Sequence, residues 1–389
     1  MRVGNTCSAT LASCVPGIQG SNGVPLLSFF AGIGFLDIGF IQAGFNIVWS
    51  NEYDPWFIRG YEYGMSSLNM KVSNQIVYNT SSIVLVEPQK IAKEAFHDTP
   101  SPETFGIIGG PPCPDFSTGG KNLGEKGDNG RLSRTYIMRI LTLQPAFFLF
   151  ENVPGLLRTG KHRVFFDCLR NELEKYYVTD YKILNALDYG VPQDRERVFL
   201  VGFRKNWLRR HFGIEPGDLS AEWFPWPTPL YPEAKTKYKW PGQSPFGGNP
   251  EKPAGIPDAL MVGPAICNME EISRLPNGTE GFRPRSAKFY YIPEGDVARK
   301  SFKRLHRWRY SPTAAYGNNE VHLHPILPRR LTVREALRIQ TVPDNYALPP
   351  NMPLTSKFKA IGNGVPVKLA YAIGRSFVLA LNGHFRVNR

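Results

Sequence analysis

The chain has 389 residues, 42% of them hydrophobic, and a formal net charge of +13. The length allows one large α/β domain or a domain with a sizeable insertion, and the composition excludes disorder except at the ends. The charge favours a polyanionic partner such as nucleic acid.

In chain order, residues 1–23 read as a polar lead-in without the apolar centre of a signal peptide. "VPLLSFF" (24–30) predicts a strand, and helical spacing follows in Phe35, Ile38 and Ile41, ending near Gly44. "NIVWSNE" (46–52), "FGIIGG" (105–110), "AFFLFENV" (146–153), "YYVTDYKILNA" (176–186) and "RVFLVGF" (197–203) continue the strand series, with an amphipathic helix over 162–175. Continuous apolar runs with helices between them predict a largely parallel sheet covered on both faces. Residues from about 207 to 328 are rich in Pro, Gly, Trp and Tyr without a steady period, and read as a separate irregular domain. Helical signals return at "LTVREALRIQ" (331–340), where Thr332 and Glu335 predict a capping box, and a last helix runs from about Pro366.

The five cysteines are Cys7, Cys14, Cys113, Cys168 and Cys267, and none sits in a CxxC pair. Reduced thiols in a cytosolic protein fit this set better than a zinc site or a disulfide framework. No apolar run approaches about 18 residues, so no membrane span is expected.

Three places carry chemistry. "FFAGIGFLDIGF" (29–40) follows a strand and opens a helix, so Gly32 and Gly34 allow a tight turn and close ligand approach. Glu52 ends the next strand, where a carboxylate can accept both hydroxyls of a ribose. Phe35 stands where a third glycine would serve a pyrophosphate, which suits a ligand without phosphates such as S-adenosylmethionine. A plain tight turn or a nicotinamide site stays open at this point. "GGPPCPDFS" (109–117) presents Cys113 from a loop stiffened by Pro111, Pro112 and Pro114 at the carboxyl end of a strand, which suits a nucleophile. "ENV" (151–153) puts Glu151 on the same edge, and alternation in "QDRERVFLVG" (193–202) puts Arg195 and Arg197 on one face. A structural loop with an incidental thiol, a strand-end carboxylate and surface ion pairs are the plainer readings.

"FAGIG", "NEYD", "GGPPCPDFS", "ENV", "QDRERVFLVG", "RRLTVREALRIQ" and "GNGVP" stand in the order of the DNA (cytosine-5)-methyltransferases, which the chain resembles over roughly 24–203 and 329–378. The resemblance implies a Rossmann-like S-adenosylmethionine-dependent methyltransferase sheet with a smaller irregular target-recognition domain. It divides the chain into an N-terminal extension (1–23), a catalytic and cofactor-binding domain (24–206), a target-recognition domain (207–328) and a C-terminal segment returning to the catalytic domain (329–389). Cys113 would be the nucleophile and Glu151 would hold N3 and the exocyclic amine. Arg197 would contact O2, and Arg195 would support the cysteine loop and the base. The cofactor would be held by Phe30, Gly32, Ile33, Gly34, Glu52, Tyr53, Pro112, Asn363 and Val365. In its third motif the family shows Asp before Ile, whereas "NTSSIVLVE" offers Ser82 and Ile83. Either Ser82 or Asn79 would replace that Asp, or the backbone would hold the adenine.

Residues 117–134, glycine-rich and basic, are expected to form a mobile loop closing over DNA. Ser117, Lys121 and Arg131 there, Gln193, and Arg304, Arg307 and Arg309 of "DVARKSFKRLHRWRY" (296–310) are the expected DNA contacts. Arg329, Arg334 and Glu335 match the motif that packs the two domains together and are taken as structural. The resemblance thus implies a bacterial, cytoplasmic, nucleoid-associated enzyme acting as a monomer on double-stranded DNA. S-adenosyl-L-homocysteine would be its product, no metal would be needed, and a restriction endonuclease encoded nearby is the expected companion. The alternatives are a tRNA cytosine-5 methyltransferase of the same fold, a catalytically inactive DNA-binding homologue and a Rossmann oxidoreductase.

Overall fold

A computed structural model describes residues 23–68, 76–112, 128–284, 286–299, 301–314, 316 and 321–388. Cys113, Ser117 and Lys121 lie outside the described residues. Seven strands, β1 (Pro25–Phe29), β2 (Asn46–Asn51), β3 (Val77–Asn79), β4 (Gly106–Gly109), β5 (Phe147–Asn152), β6 (Tyr177–Asn185) and β7 (Glu196–Arg204), form one sheet. Their spatial order is β3-β2-β1-β4-β5-β7-β6. Five neighbouring strands, β3 to β5, are mutually parallel, and β7 runs antiparallel to both β5 and β6. The sheet is largely parallel, as expected, with β7 as the one reversal. Only a short turn, Ala186–Tyr189, and a few residues separate β6 from β7. So short a link can join antiparallel strands but cannot make a parallel crossover.

Strand alternation divides the core into two layers. Leu26, Ile108, Phe147 and Val201 face one side, while Leu27, Ile107, Phe148 and Leu200 face the other. Helices Pro88–Phe96, Asp128–Leu143 and Gly160–Glu174 cover the second side. The first side receives Phe35–Gln42 and the last helix, Val367–Leu381. Those two helices touch so closely that a Cβ at Gly39 would sit 2.4 Å from Ala370 Cβ. The stretch Leu354–Leu381 is apolar enough in length and composition to cross a membrane. Most of it is buried: Phe377 packs on Phe147, Phe203 and Phe224, and the apolar surface is spent inside the core.

Two further differences concern boundaries. Residues 128–134, expected within a mobile loop, begin the helix Asp128–Leu143. Residues 207–226, expected in the irregular domain, pack on the sheet. Trp207, Trp223, Phe224 and Trp226 join the first core layer, and the Trp223 indole N–H donates to the Thr179 carbonyl at 3.1 Å. Asp180 accepts from Phe224 N and Trp226 Nε1. Their aromatic composition looked irregular because it serves a sheet edge rather than a repeating helix.

The capping box at Thr332 and Glu335 is present. Beyond it, Glu335 accepts a forked pair of bonds from Arg329, at 2.8 and 2.7 Å. Arg334 donates to the carbonyls of Pro276, Pro343 and Tyr346, tying 276–346 into one unit.

Candidate active site

The strand register aligns chemistry along one edge. Phe29 pairs with Asn51 and with Gly109, and Gly109 pairs with Phe150. The residues that follow, from Phe30, Glu52, Gly110 and Glu151, therefore leave the sheet side by side at its carboxyl end, where open α/β sheets hold their ligand crevice. Because β7 is antiparallel, its first residues arrive at this same edge. Arg195 and Arg197 come from its start, not its end.

At β1 the chain turns through left-handed backbone at Phe30 (φ 54°), Gly32 (φ 60°) and Gly34 (φ 85°). Phe30 pays a steric penalty there that glycine would not. Gly34 caps the helix Phe35–Gln42. Glu52 takes the Gly32 N–H on Oε2 at 2.9 Å and the Asp54 N–H on Oε1 at 2.8 Å. Burial raises its pKa against these two bonds. Each oxygen keeps lone-pair capacity, and a carboxylate held this way fits a ribose diol. Tyr53 stands beside it, 70% exposed. Ile33 is buried, and its carbonyl accepts from the Tyr346 hydroxyl at 2.6 Å. Val365 is buried and Asn363 exposed at the end of helix Leu354–Asn363. A Cβ at Gly364 would sit 2.3 Å from Phe35, so the C-terminal segment presses on the glycine turn.

Asn79 and Ser82 differ in what they have left to offer. The Asn79 amide is committed: Oδ1 accepts from Ser81 N and Asn51 Nδ2, and Nδ2 donates to Glu94. Ser82 is half-buried, and its carbonyl accepts from Leu85 N at 2.8 Å. Ile83 is buried behind it.

Glu151 is the centre of the second group. Its Oε1 lies 3.0 Å from Arg197 Nε, and the two side chains are only 12% and 13% exposed. Burial raises the Glu151 pKa, while Arg197 and then Arg195 pull it down. A Cβ at Gly110 would lie 2.5 Å from Glu151 Oε2, so any side chain there would displace this carboxyl. Half-buried Pro112 follows, and Asn152 Nδ2 donates to the Pro111 carbonyl at 3.4 Å.

Arg195 reaches the backbone of distant segments. It is fully buried and donates to the carbonyls of Gly362 (2.9 Å), Asn363 (3.3 Å) and Ala314 (3.3 Å). It therefore joins the start of β7 to two distant segments. Arg195→Met would orphan these carbonyls, and we expect a loss of about 3 kcal/mol or more of stability in urea titration. Arg195→Lys should rescue poorly, because one ammonium cannot reproduce the planar fork.

Several expected DNA contacts are corrected. Gln193 is fully buried; its Nε2 donates to Gln340 Oε1 and its Oε1 accepts from Ala314 N. Arg304 is also fully buried, donating to the carbonyls of Phe289, Ile292, His324 and Leu327 and stacking 4.1 Å from the Phe246 ring centre. Arg307 is forked onto the buried Glu294 and donates to Gly248 O. These groups satisfy loop carbonyls and one buried carboxylate, which a loop-rich domain cannot pair through strands. Arg309 is half-buried over Tyr310, and Arg131 is exposed on the helix Asp128–Leu143.

Two site elements escaped the sequence. Tyr346, about three hundred residues beyond the turn, braces it through Ile33. Asp37, an acid in the first turn of an apolar helix, is buried beneath it. A lone Asp within "GFLDIGF" is the signal that could have found the second; nothing local marks the first.

The sheet order and the crevice define a methyltransferase of the S-adenosylmethionine-dependent fold. A profile of the C-5 cytosine-specific DNA methylases matches residues 24–378. Type II methyltransferase M.NmeDI of Neisseria meningitidis serogroup C is 44% identical over 92% of this chain and 84% of its own. M.FnuDI of Fusobacterium nucleatum is 31% identical over 90% and 93%. The solved Spodoptera frugiperda DNMT2 mutant, 16% identical, shares the fold with a TM-score of 0.55 over 93% of this chain and all of that one. The chain belongs to the C-5 cytosine-specific DNA methylase family and is a DNA cytosine-5 methyltransferase.

Proposed function

We propose that the enzyme methylates cytosine at one short DNA sequence, with Cys113, Glu151 and Arg197 acting on a base flipped out of the duplex. The observation that carries this assignment is the Glu151–Arg197 pair. It is nearly buried at the carboxyl edge and abuts Gly110, from which the chain runs on to Cys113.

The chemistry asks for these groups. C5 of cytosine is a weak nucleophile, and its carbon lies inside the stack until the base is extruded. The Cys113 thiolate adds to C6, and the displaced π electrons make C5 an enamine carbon. Glu151, kept protonated further toward neutral pH by burial, supplies the proton that N3 takes as charge develops. Arg197 holds Glu151 and faces O2. S-adenosylmethionine supplies the methyl group as an activated sulfonium and leaves as S-adenosylhomocysteine. A base, for which water suffices, then removes the C5 proton, the electrons returning to C5–C6 expel Cys113 as thiolate, and N3 gives its proton back to Glu151. No proposed step uses a metal.

Glu52 and the Gly32–Gly34 turn are assigned to the cofactor with Phe30, Ile33, Tyr53, Pro112, Asn363 and Val365, and Ser82 with Ile83 to its adenine. Residues 24–227 and 329–389 form the catalytic part and 228–328 the recognition part. The packing of 207–226 on the sheet favours a junction after Pro227. We assign the enzyme to the bacterial cytoplasm, acting on DNA as a monomer beside a restriction endonuclease encoded nearby.

Radiolabelled S-adenosylmethionine offered to unmethylated genomic DNA and to total tRNA, followed by bisulfite sequencing, tests this. Label in DNA at one short motif is expected. Label in tRNA alone would overturn the assignment.

A further inference from the structure

Beneath the glycine turn lies an acid that the mechanism does not use. Asp37 is fully buried in the first turn of the helix Phe35–Gln42. Ser28 Oγ donates to its Oδ1 at 2.7 Å and the Tyr61 hydroxyl to its Oδ2 at 2.6 Å. The groups facing it come from every element packed there: Ser28 from β1, Tyr61 from the helix Pro55–Ser67 and Tyr78 from β3. Ser50 of β2 adjoins Tyr61, and Glu62 adjoins Tyr78. None is a cation. The Tyr61 ring in turn lies against the turn, since a Cβ at Gly34 would meet its Cε2 at 3.0 Å.

We propose that Asp37 is the positioning residue of the cofactor turn: its carboxylate, through Ser28 and Tyr61, holds Gly32–Gly34 in the form that accepts S-adenosylmethionine. This rests on the assignment of the turn to the cofactor. An ionised Asp37 is an acceptor only and takes a proton from both hydroxyls. A protonated Asp37 donates to one of these hydroxyl oxygens, so that hydroxyl turns from donor to acceptor and must aim its own proton elsewhere in the buried site. Burial raises the Asp37 pKa to about 7, against the two bonds that lower it. Cofactor affinity therefore depends on pH in the neutral range.

The sign follows from linkage. Asp37 binds its proton more tightly folded than unfolded, so its stability contribution is full below about pH 4 and is lost as pH rises through about 7. Cofactor binding needs the other form and is lost as pH falls. Wild-type affinity for S-adenosylmethionine, measured by calorimetry, should weaken about tenfold from pH 8 to pH 6. Asp37→Asn, isosteric with the protonated acid, should bind weakly at both pH values with that slope abolished. It should melt no lower than wild type above pH 7, which separates loss of binding from loss of fold. Tyr61→Phe keeps the ring and deletes the bond that lowers the Asp37 pKa, so the midpoint should move upward. Wild-type affinity in Asp37→Asn, an unchanged slope there, or an unmoved midpoint in Tyr61→Phe would overturn the proposal. Wild-type protein that binds no cofactor at any pH would sink the cofactor assignment along with it.

Discussion

Cys113→Ser should lose methyl transfer by about 10⁴-fold or more while DNA binding stays within a few-fold, since removal of a covalent nucleophile costs this order. The substitution changes one atom. A serine hydroxyl ionises far less readily than a thiol at neutral pH, and it is the anion that adds to C6. Without the adduct, C5 is never activated, however well the base and the cofactor are seated. The approach to position 113 is built for delivery rather than packing. β4 ends at Gly109, Pro111 is tied to Asn152, and a side chain at Gly110 would push on the Glu151 carboxyl. Label counted on a DNA duplex, with gel-shift titration in parallel, separates chemistry from binding. Full activity in the serine protein would remove Cys113 from the mechanism. The same titration with Cys168→Ser, an exposed thiol on helix Gly160–Glu174, should change nothing.

Glu151→Gln should lower kcat by about 10² to 10⁴-fold, the usual range for a lost general acid. Glutamine keeps the size and one donor, so DNA affinity should hold, but it cannot pass a proton to N3. The pH profile distinguishes this from a packing defect. The thiolate requirement makes the rate rise with pH, and the need for protonated Glu151 makes it fall again on the alkaline side. Burial raises the Glu151 pKa, which extends the protonated form toward neutrality. In Glu151→Gln the alkaline fall should vanish, leaving a rise to a plateau set by the thiol. A variant that retains the wild-type alkaline fall would show that another group supplies the proton. Arg197 would lose its carboxylate partner in this variant, so a modest loss of stability is also expected from the uncompensated, nearly buried guanidinium.

The catalytic half of the molecule was largely legible. β1, β2, β4, β5, β6 and β7 fall within a residue or two of their apolar runs, because all but the edge strand β6 are buried along most of their length and need no polar alternation. The Thr332–Glu335 box was legible because capping is a local bond. β3 and the helices Pro55–Ser67 and Pro88–Phe96 were not, being short or polar outside and held by tertiary contacts such as the Trp49–Glu94 bond. The recognition part was read worst. "KRLHRWRY" looks like a run of free cations, yet Arg304 and Arg307 face inward. Side-chain direction in a stretch without periodicity is decided by which carbonyls and carboxylates other segments bring near.

By itself the sequence determined which groups exist to do chemistry and the order in which the strands deliver them. It gave a thiol after β4, a carboxylate at the end of β5, a glycine turn after β1 and an acid after β2. It also determined that these ends emerge together, since parallel strands share one carboxyl edge. Only the tertiary structure decided the rest. The reversal of β7 brings Arg197 to Glu151, because an antiparallel strand presents its beginning where its neighbours end. Burial makes Arg195 a tie between Ala314 and Gly362–Asn363. The same burial set Asp37 against the hydroxyls of Ser28 and Tyr61 beneath the turn. Local sequence cannot specify these outcomes, because a guanidinium or a carboxyl carries the same neighbours in the chain whether water or a distant backbone satisfies it.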